Sequence, residues 1–306
     1  MGKTIMKNNT KHNTMLKTVK RNIGGWMLLF PTVFLFFVIS WRPVFIGGIY
    51  SFFDMIGYEV GEFVGLENFR NVITDSLFLT SLVNTLKYVL WSLIFGFIPP
   101  IILALMINEA VHLRGTLKFA IYFPSIVPAI VTSMLWSLLY YPDASGLFNT
   151  LLVNLGFEPK QWLNNQSMAI PLIVIATSWN GFGGTAIMYL ASLQGINREL
   201  YEAATIDGAG VFRRIWSITI PHMKGVLLLF LVRQIIGVFQ IMEQPLTMTG
   251  GGPNNASVSL SLQGYRYAFV YGQIDNAMAM GVITFVLLLI MTIFYNYLDK
   301  RLGDEA

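Results

Sequence analysis

The amino-acid sequence predicts an all-α polytopic membrane protein with six transmembrane helices. Of the 306 residues, 55% are hydrophobic and only 12% are charged, whereas a typical soluble domain has about 25% charged residues. The chain also contains several uncharged apolar runs of about the 20 residues that a helix needs to cross a bilayer core. A soluble core of this length would not need so many uninterrupted apolar runs.

The predicted spans follow these runs along the chain, and only the fifth run contains a charged residue, Arg233, which interrupts it together with Gln234 and Gln240. They cover residues 22–41, 88–108, 119–142, 161–197, 225–242 and 276–298. The third span contains Pro124 and Pro128, so we expect a kink whose freed carbonyls are satisfied by neighbouring helices. The glycine-rich residues 179–184 of the fourth span indicate a bent helix or a close backbone contact.

Basic residues predict the orientation in the membrane. Residues 1–22 form a basic tail without an acidic residue. Because no small-residue cleavage site follows the first apolar run, we expect a retained signal-anchor helix and not a cleaved signal peptide. With the N-terminus inside, fourteen Lys and Arg residues lie on the cytoplasmic side and five on the outer side. This bias predicts that both termini are cytoplasmic.

Composition also limits the kinds of binding site that the chain can contain. The chain has no cysteine, which excludes disulfides and thiolate metal sites. Its histidines, His12, His112 and His222, lie far apart and lack the spacing of metal ligands. We therefore expect no metal and no cofactor. The basic residues are scattered over several loops, so we expect no nucleic-acid partner.

Residues 202–221 form a polar segment between two apolar spans and predict two short helices. The apolar side of the first helix comes from Tyr201, Ala204, Ile206 and Ala209. Glu202 and Asp207 lie on its polar side. Gly208 and Gly210 permit a sharp turn, and Pro221 is expected to end the second helix. Such a segment lies along a membrane surface, where its small alanines allow a partner to approach closely.

This segment resembles the cytoplasmic EAA loop of one family, the permease subunits of binding-protein-dependent ABC importers. Glu-Ala-Ala, a glycine a few residues later and a final Ile-x-x-Pro follow one another in the order of that loop. The resemblance implies a type I (MetI-like) permease core at about residues 66–298 of a permease domain at 23–306, with a cytoplasmic coupling helix in a loop at 195–221. It assigns the contact with an ATPase to Glu202, Ala203, Ala204, Asp207 and Gly208. The simpler alternative is a generic amphipathic loop between spans.

Four further segments resemble the sugar-importing members of this family: residues 65–69, 122–128, 206–209 and 249–253. The resemblance implies import of a sugar or oligosaccharide by alternating access through a bacterial-type plasma membrane. The implied partners are membrane lipid, a dimer of ATP-binding cassette ATPases, an extracellular solute-binding protein and a second permease. We expect a heterodimer of permeases, although nothing in the sequence excludes a homodimer. The chain has no Gly-x-x-x-x-Gly-Lys-Ser/Thr motif, so we expect it not to be an enzyme.

The fifth span carries a predicted solute path. Arg233, Gln240 and Gln244 lie seven and eleven residues apart, on one face of a helix, with Glu243 at its edge. An arginine within a span costs about 2.5–3.5 kcal/mol on insertion scales, so it should face protein or water. The stripe either binds solute hydroxyls or forms structural bonds, including bonds to the partner permease. Further candidates, in the fourth span, are Trp179 and Asn180.

Three alternative functions are open on the sequence. The first is an ABC permease for another solute, such as amino acids or phosphate. The second is a self-contained secondary transporter, which would have inverted repeats or midplane acidic residues, and the spans offer little of either. The third is a membrane enzyme, which would need a polar catalytic cluster that the sequence does not display.

Overall fold

The computed structural model describes residues 23–109 and 113–303, and the predicted basic tail at residues 1–22 lies outside them. The helices are α1 (Gly24–Tyr50), α2 (Glu67–Thr74), α3 (Ser76–Glu109), α4 (Arg114–Ile126), α5 (Ala129–Leu139), α6 (Leu147–Asn154), α7 (Ala169–Gln194), α8 (Arg198–Ile206), α9 (Val211–Phe239), α10 (Glu243–Thr249), α11 (Leu260–Phe269) and α12 (Ile274–Gly303). A short antiparallel hairpin, β1 (Phe53–Ile56) and β2 (Glu59–Phe63), follows α1.

Five of the described helices are long and apolar enough to cross a membrane: α1, α3, α7, α9 and α12. A sixth crossing results when α4 and α5, which meet at an angle of 94°, are counted as one span. The predicted all-α polytopic fold is therefore confirmed. Both α1 and α3 extend well beyond the apolar runs that predicted them, α1 through Tyr50 at its end and α3 from Ser76 at its start.

Prolines near the ends of the predicted spans do not end the helices. The predicted end of the first span at Trp41 is wrong, because α1 continues through Pro43. The prediction that Pro221 ends a helix is also wrong, because α9 continues through it. In both helices, and before Pro99 of α3, a five-residue π-helical turn ends two residues ahead of the proline. The wider turn relieves the clash between the proline ring and the carbonyl four residues earlier.

The third span breaks where its prolines predicted a kink. Val127, which precedes Pro128, is extended, and the 94° change of direction there is much larger than a kink. Asn180 of α7 satisfies the freed backbone, because its Nδ2 donates to the carbonyls of Pro124 and Val127 at 2.8 and 2.9 Å. Ser125 Oγ donates in turn to the Asn180 carbonyl at 2.7 Å. A neighbouring helix thus replaces the missing helical bonds, as predicted.

The central helix of the bundle is α7, which packs against α3, α4, α5 and α9. Its glycine-rich stretch permits a very close approach to α4. A Cβ atom at Gly183 would lie 2.4 Å from the carbonyl oxygen of Ile121 and 2.5 Å from the Cα of Tyr122. The stretch therefore provides the close backbone contact, and α7 runs through it as one continuous helix.

Buried asparagines fasten the loops of the described chain. Asn68 Nδ2 donates to two carbonyls at the start of the hairpin, at 3.0 and 2.9 Å. Asn84 Nδ2 donates to the carbonyls of Asn255 and Val258, at 2.9 and 3.1 Å. Asn149 Oδ1 accepts from two N–H groups of the loop after α6, at 2.9 and 2.8 Å. These asparagines therefore stabilise the fold by pairing loop backbone that no helix satisfies.

Replacing Gly183 with alanine should destabilise the helix bundle, whereas the same change at Gly184 should not. A methyl group at position 183 would meet the backbone of α4, while the corresponding position at 184 has no atom within 4 Å. Overpacking of this kind costs about 1–3 kcal/mol, so the thermal unfolding midpoint of the purified chain should fall for Gly183→Ala. Gly184→Ala should leave it unchanged or raise it slightly, because alanine favours the helix. Equal midpoints for the two variants would contradict the contact.

Candidate solute cavity and coupling segment

A polar cavity of about 570 Å³ lies between α3, α7, α9 and the turn that follows α9. Its polar lining residues are Thr177, Thr185, Arg233, Gln234, Gln240, Glu243 and Gln244. Its aromatic lining residues are Phe97, Tyr189 and Phe230. Ligand pockets have volumes of about 300–1,000 Å³, so this cavity is large enough for a small solute.

The candidates of the fifth span reach this cavity, although not along one helix face. α9 ends at Phe239, and α10 begins after a three-residue turn. The predicted continuous stripe is therefore wrong, because Pro245 cannot donate the bond to Ile241 that an unbroken helix needs. The Ile241 carbonyl accepts a hydrogen bond from Ser259 Oγ instead. The turn nevertheless brings all the candidates to the cavity: Arg233, Gln240, Glu243 and Gln244.

Two polar groups of the cavity have no hydrogen-bond or ion-pair partner among the described residues. Arg233 forms no ion pair with Glu243 or with any other described side chain, and its guanidinium carbon lies 5.8 Å from the centroid of the Phe230 ring, a cation–π distance. The Tyr189 hydroxyl is buried without a hydrogen bond to the described residues. An unpaired buried hydroxyl costs free energy, so both groups are suited to a polar solute.

Sequence reasoning missed the contribution of α7 and of Gln234 to this cavity. A signal for the α7 residues was present in the sequence. Thr177, Thr185 and Tyr189 lie at spacings of eight and four residues, which places them on one face of a helix. Gln234 follows Arg233 directly, and no periodic pattern in the sequence marks it. In the structure, the Nε2 atom of Gln234 would lie only 2.6 Å from a Cβ atom placed on Gly96 of α3. The close approach of α3 thus sets its position.

The remaining candidates, Trp179 and Asn180, do not line the cavity. Asn180 carries the hydrogen bonds that satisfy the break between α4 and α5. The ring of Trp179 packs against that of Trp136 in α5, with centroids 6.0 Å apart. Both side chains therefore hold the broken third span against α7.

The segment between the fourth and fifth spans is a short helix, α8, that ends at a left-handed glycine. Its N-terminus is capped by Asn197, whose Oδ1 accepts from a backbone amide at 3.1 Å. At the other end Gly208 has a φ of +76°. The amides of Gly208 and Ala209 donate to the carbonyls of Thr205 and Ala204, at 3.1 and 2.8 Å. These are the two bonds of a Schellman motif, so the predicted break at Gly208 is present.

Two hydrogen bonds fasten α8 to the base of α9. The Tyr201 hydroxyl lies 2.9 Å from Thr219 Oγ1, and Arg214 Nη1 donates to Thr205 Oγ1 at 3.0 Å. These bonds hold the side of α8 that contains Tyr201. The residues left exposed include Glu202, Ala203, Ile206, Asp207 and Gly208.

The apolar side predicted for α8 is only partly correct. Tyr201, Ala204 and Ala209 are half-buried, as expected. Ile206 is 87% exposed, because five residues along a helix turn it about 140° away from Tyr201. Phe212, just beyond the turn, is 81% exposed. These two side chains present an apolar surface next to the polar face of α8.

Comparison with known families identifies the chain. Residues 96–304 match the family described as "Binding-protein-dependent transport system inner membrane component". The chain belongs to this family. The matched residues contain both the cavity and α8, and the family resemblance predicted from residues 202–221 is confirmed.

Two relatives and one solved structure agree with this assignment. The permease is 32% identical over 290 residues to AraP, an arabinooligosaccharides transport system permease protein of Bacillus subtilis (strain 168), covering 94% of this chain and 91% of AraP. It is 37% identical over 233 residues to MalF, a trehalose/maltose transport system permease protein of Thermococcus litoralis, covering 76% of this chain and 78% of MalF. It also matches, with a TM-score of 0.83 and 27% identity, a bacterial alginate ABC transporter in complex with an alginate pentasaccharide-bound periplasmic protein, covering 94% of this chain and 97% of that one. The chain is therefore a multi-pass permease and not an ATPase.

Replacing Asn180 with aspartate should destabilise the break in the third span. A carboxylate cannot donate to the carbonyls of Pro124 and Val127, and each buried group left unsatisfied costs about 1–3 kcal/mol. The thermal unfolding midpoint of the purified permease should therefore fall sharply. Asn164→Asp makes the same chemical change at an exposed position and should leave the midpoint unaltered. If Asn180→Asp were as stable as Asn164→Asp, the assigned role of Asn180 would be wrong.

Proposed function

We propose that this permease moves a sugar or oligosaccharide inward across the membrane by alternating access. The observation that carries the proposal is the polar cavity of about 570 Å³ among the spans. Its arginine, amide and hydroxyl groups donate and accept hydrogen bonds, which is the chemistry that sugar hydroxyls require. The relatives for arabinooligosaccharides and trehalose/maltose, and the alginate transporter, support carbohydrate as the class of solute.

The lining of the cavity favours an uncharged sugar over a strongly anionic one. Arg233 and Glu243 both line it, so their formal charges balance. The ring centroids of Tyr189 and Phe230 lie 5.1 Å apart, and these rings form an apolar part of the wall. A sugar has both C–H faces and hydroxyls, so apolar packing can bind it while a few placed polar groups orient it.

Energy for transport comes from a separate dimer of ATP-binding cassette ATPases that contacts α8. The contact consists of Glu202, Ala203, Ala204, Asp207 and Gly208. The exposed polar face of α8 and the adjoining apolar side chains of Ile206 and Phe212 support this assignment. Further support comes from α9, which runs without a break from the turn after α8 to the cavity. Movement of α8 on ATP-driven closure would thus be carried by one helix to the solute path.

The coupling loop at residues 195–221 and both termini lie on the cytoplasmic side of a bacterial-type plasma membrane. The excess of basic residues in the loops on that side supports this orientation. The permease domain, at residues 23–306, follows the basic tail and pairs with a second permease in a heterodimer. An extracellular solute-binding protein delivers the sugar, as the periplasmic protein in the alginate complex suggests.

Gly208→Trp should uncouple ATP hydrolysis from solute transport in the assembled transporter. The bulky side chain would block a close fit of the ATPase at a residue whose φ of +76° disfavours large side chains. We expect solute-stimulated ATPase activity to fall about tenfold or more, which corresponds to a loss of about 1.4 kcal/mol. Gly208→Asn should keep most of the activity, because asparagine tolerates left-handed backbone. Unchanged ATPase activity in the assembled Gly208→Trp complex would show that the contact is wrongly assigned.

Gln240→Ala should weaken transport without affecting assembly. The change removes one amide from the cavity, and the net loss of a hydrogen bond of about 0.5–1.5 kcal/mol raises the KM for sugar uptake about two- to tenfold. The control is Gln166→Ala, which removes an amide from an exposed position. Uptake of labelled sugar into proteoliposomes measures both. The same KM for the two variants would remove Gln240 from the solute path.

A further inference from the structure

A second cavity, of about 500 Å³, lies behind the coupling segment. It is enclosed by the end of α3, the start of α4, the end of α7, and by α8 and the first turn of α9. Its charged lining residues are Glu109, Arg114, Arg198 and Arg214. It shares none of its lining with the solute cavity, and neither the proposed solute path nor the proposed ATPase contact uses these arginines.

The lining of this cavity carries an excess of positive charge. Among the lining residues that the structure describes, three arginines face a single carboxylate, that of Glu109. Arg114 Nη2 donates to the Asn108 carbonyl at 2.9 Å, and Arg214 is bonded to Thr205. Arg198 forms no hydrogen bond or ion pair with the residues that the structure describes. Like charges gathered in one cavity repel each other, so the arrangement is stabilised by an anion that all three can approach.

We propose that this cavity binds a phosphate group. Guanidinium groups form parallel N–H···O bonds with phosphate oxygens, and several arginines around one anion give the strongest version of this contact. Such a group comes either from the headgroup of an anionic phospholipid or from a phosphate ion in solution. The proposed orientation of the coupling loop puts the cavity at the cytoplasmic leaflet, where basic pockets between helices attract anionic headgroups. Trp216, 70% exposed on the same turn of α9, is typical of a membrane–water interface.

A phosphate bound here would connect α4, α8 and α9 in addition to their apolar packing and the hydrogen bonds between α8 and α9. Arg198 belongs to α8, Arg214 to α9 and Arg114 to α4. One anion held by all three would therefore fix α8 relative to the spans on both sides of the Gly208 turn. The content of anionic lipid or of phosphate would in this way alter how firmly the coupling segment is held.

The test compares an arginine that lines the cavity with one that does not. Arg198 lines it, whereas Arg213 does not; both are exposed and neither has a partner among the described residues. Each is changed to glutamine in the complete transporter, purified in an uncharged detergent. The probes are dihexanoyl-phosphatidylglycerol, dihexanoyl-phosphatidylcholine and inorganic phosphate, with chloride at equal ionic strength as the blank. Binding is measured by native mass spectrometry and by the rise in the unfolding midpoint of each variant over its own blank.

We expect phosphatidylglycerol to bind more tightly than phosphatidylcholine, and Arg198→Gln to weaken it about fivefold, the effect of one arginine near a membrane surface. Arg213→Gln should leave the binding unchanged. The same dependence on Arg198 with inorganic phosphate alone would support the site and identify its source as phosphate in solution. Equal binding by the two variants would overturn the proposal. The proposal would also be overturned if Arg198→Gln released the ATPase while phosphate binding stayed unchanged. That result would show that the arginines contact a protein. Neither result bears on sugar transport, because the test measures only binding.

Discussion

The structure depends on one constraint, which is that every backbone N–H and C=O group within a membrane needs a partner inside the protein. Two of the crossings contain breaks that would leave carbonyls unpaired. At the break between α4 and α5, Asn180 supplies the donors. At the end of α9, hydroxyl groups supply them, since Ser259 donates to Ile241 and Ser261 to Phe239. At both of these breaks a specific side chain therefore satisfies the irregular backbone.

The end of α9 also adds polar side chains to the cavity. If α9 had continued to Gln244, its side chains would have projected at helical intervals along a single face. The turn after Phe239 instead directs Gln240, Glu243 and Gln244 to the same space as Arg233. The sequence predicted these residues to share one helix face, and it is instead the turn that brings them to one cavity. The added polar lining and the satisfied break are two consequences of the same turn.

The prolines of α9 and α1 have the opposite effect, because the helix accommodates them. A π-helical turn ahead of Pro221 keeps α9 intact from Val211 to Phe239, so one helix joins the base of α8 to the cavity. Arg233 lies 22 residues after Val211, which corresponds to about 33 Å of helix. Because one helix connects the base of α8 to the cavity, movement at one end can reach the other without a series of intermediate side-chain contacts.

The sequence by itself determined that the chain is a helical membrane protein and to which family it belongs. Apolar length, the glycine break and the Glu-Ala-Ala segment are properties of neighbouring residues, so they can be read locally. Only the tertiary structure decided that the third span turns by 94°, that α9 passes Pro221 but stops at Phe239, and that Asn180 holds a break and does not line the cavity. The break in the third span depends on whether a side chain many residues away reaches a freed carbonyl, as Asn180 reaches Pro124. No local pattern records such a pair, because the partners meet only when the helices pack.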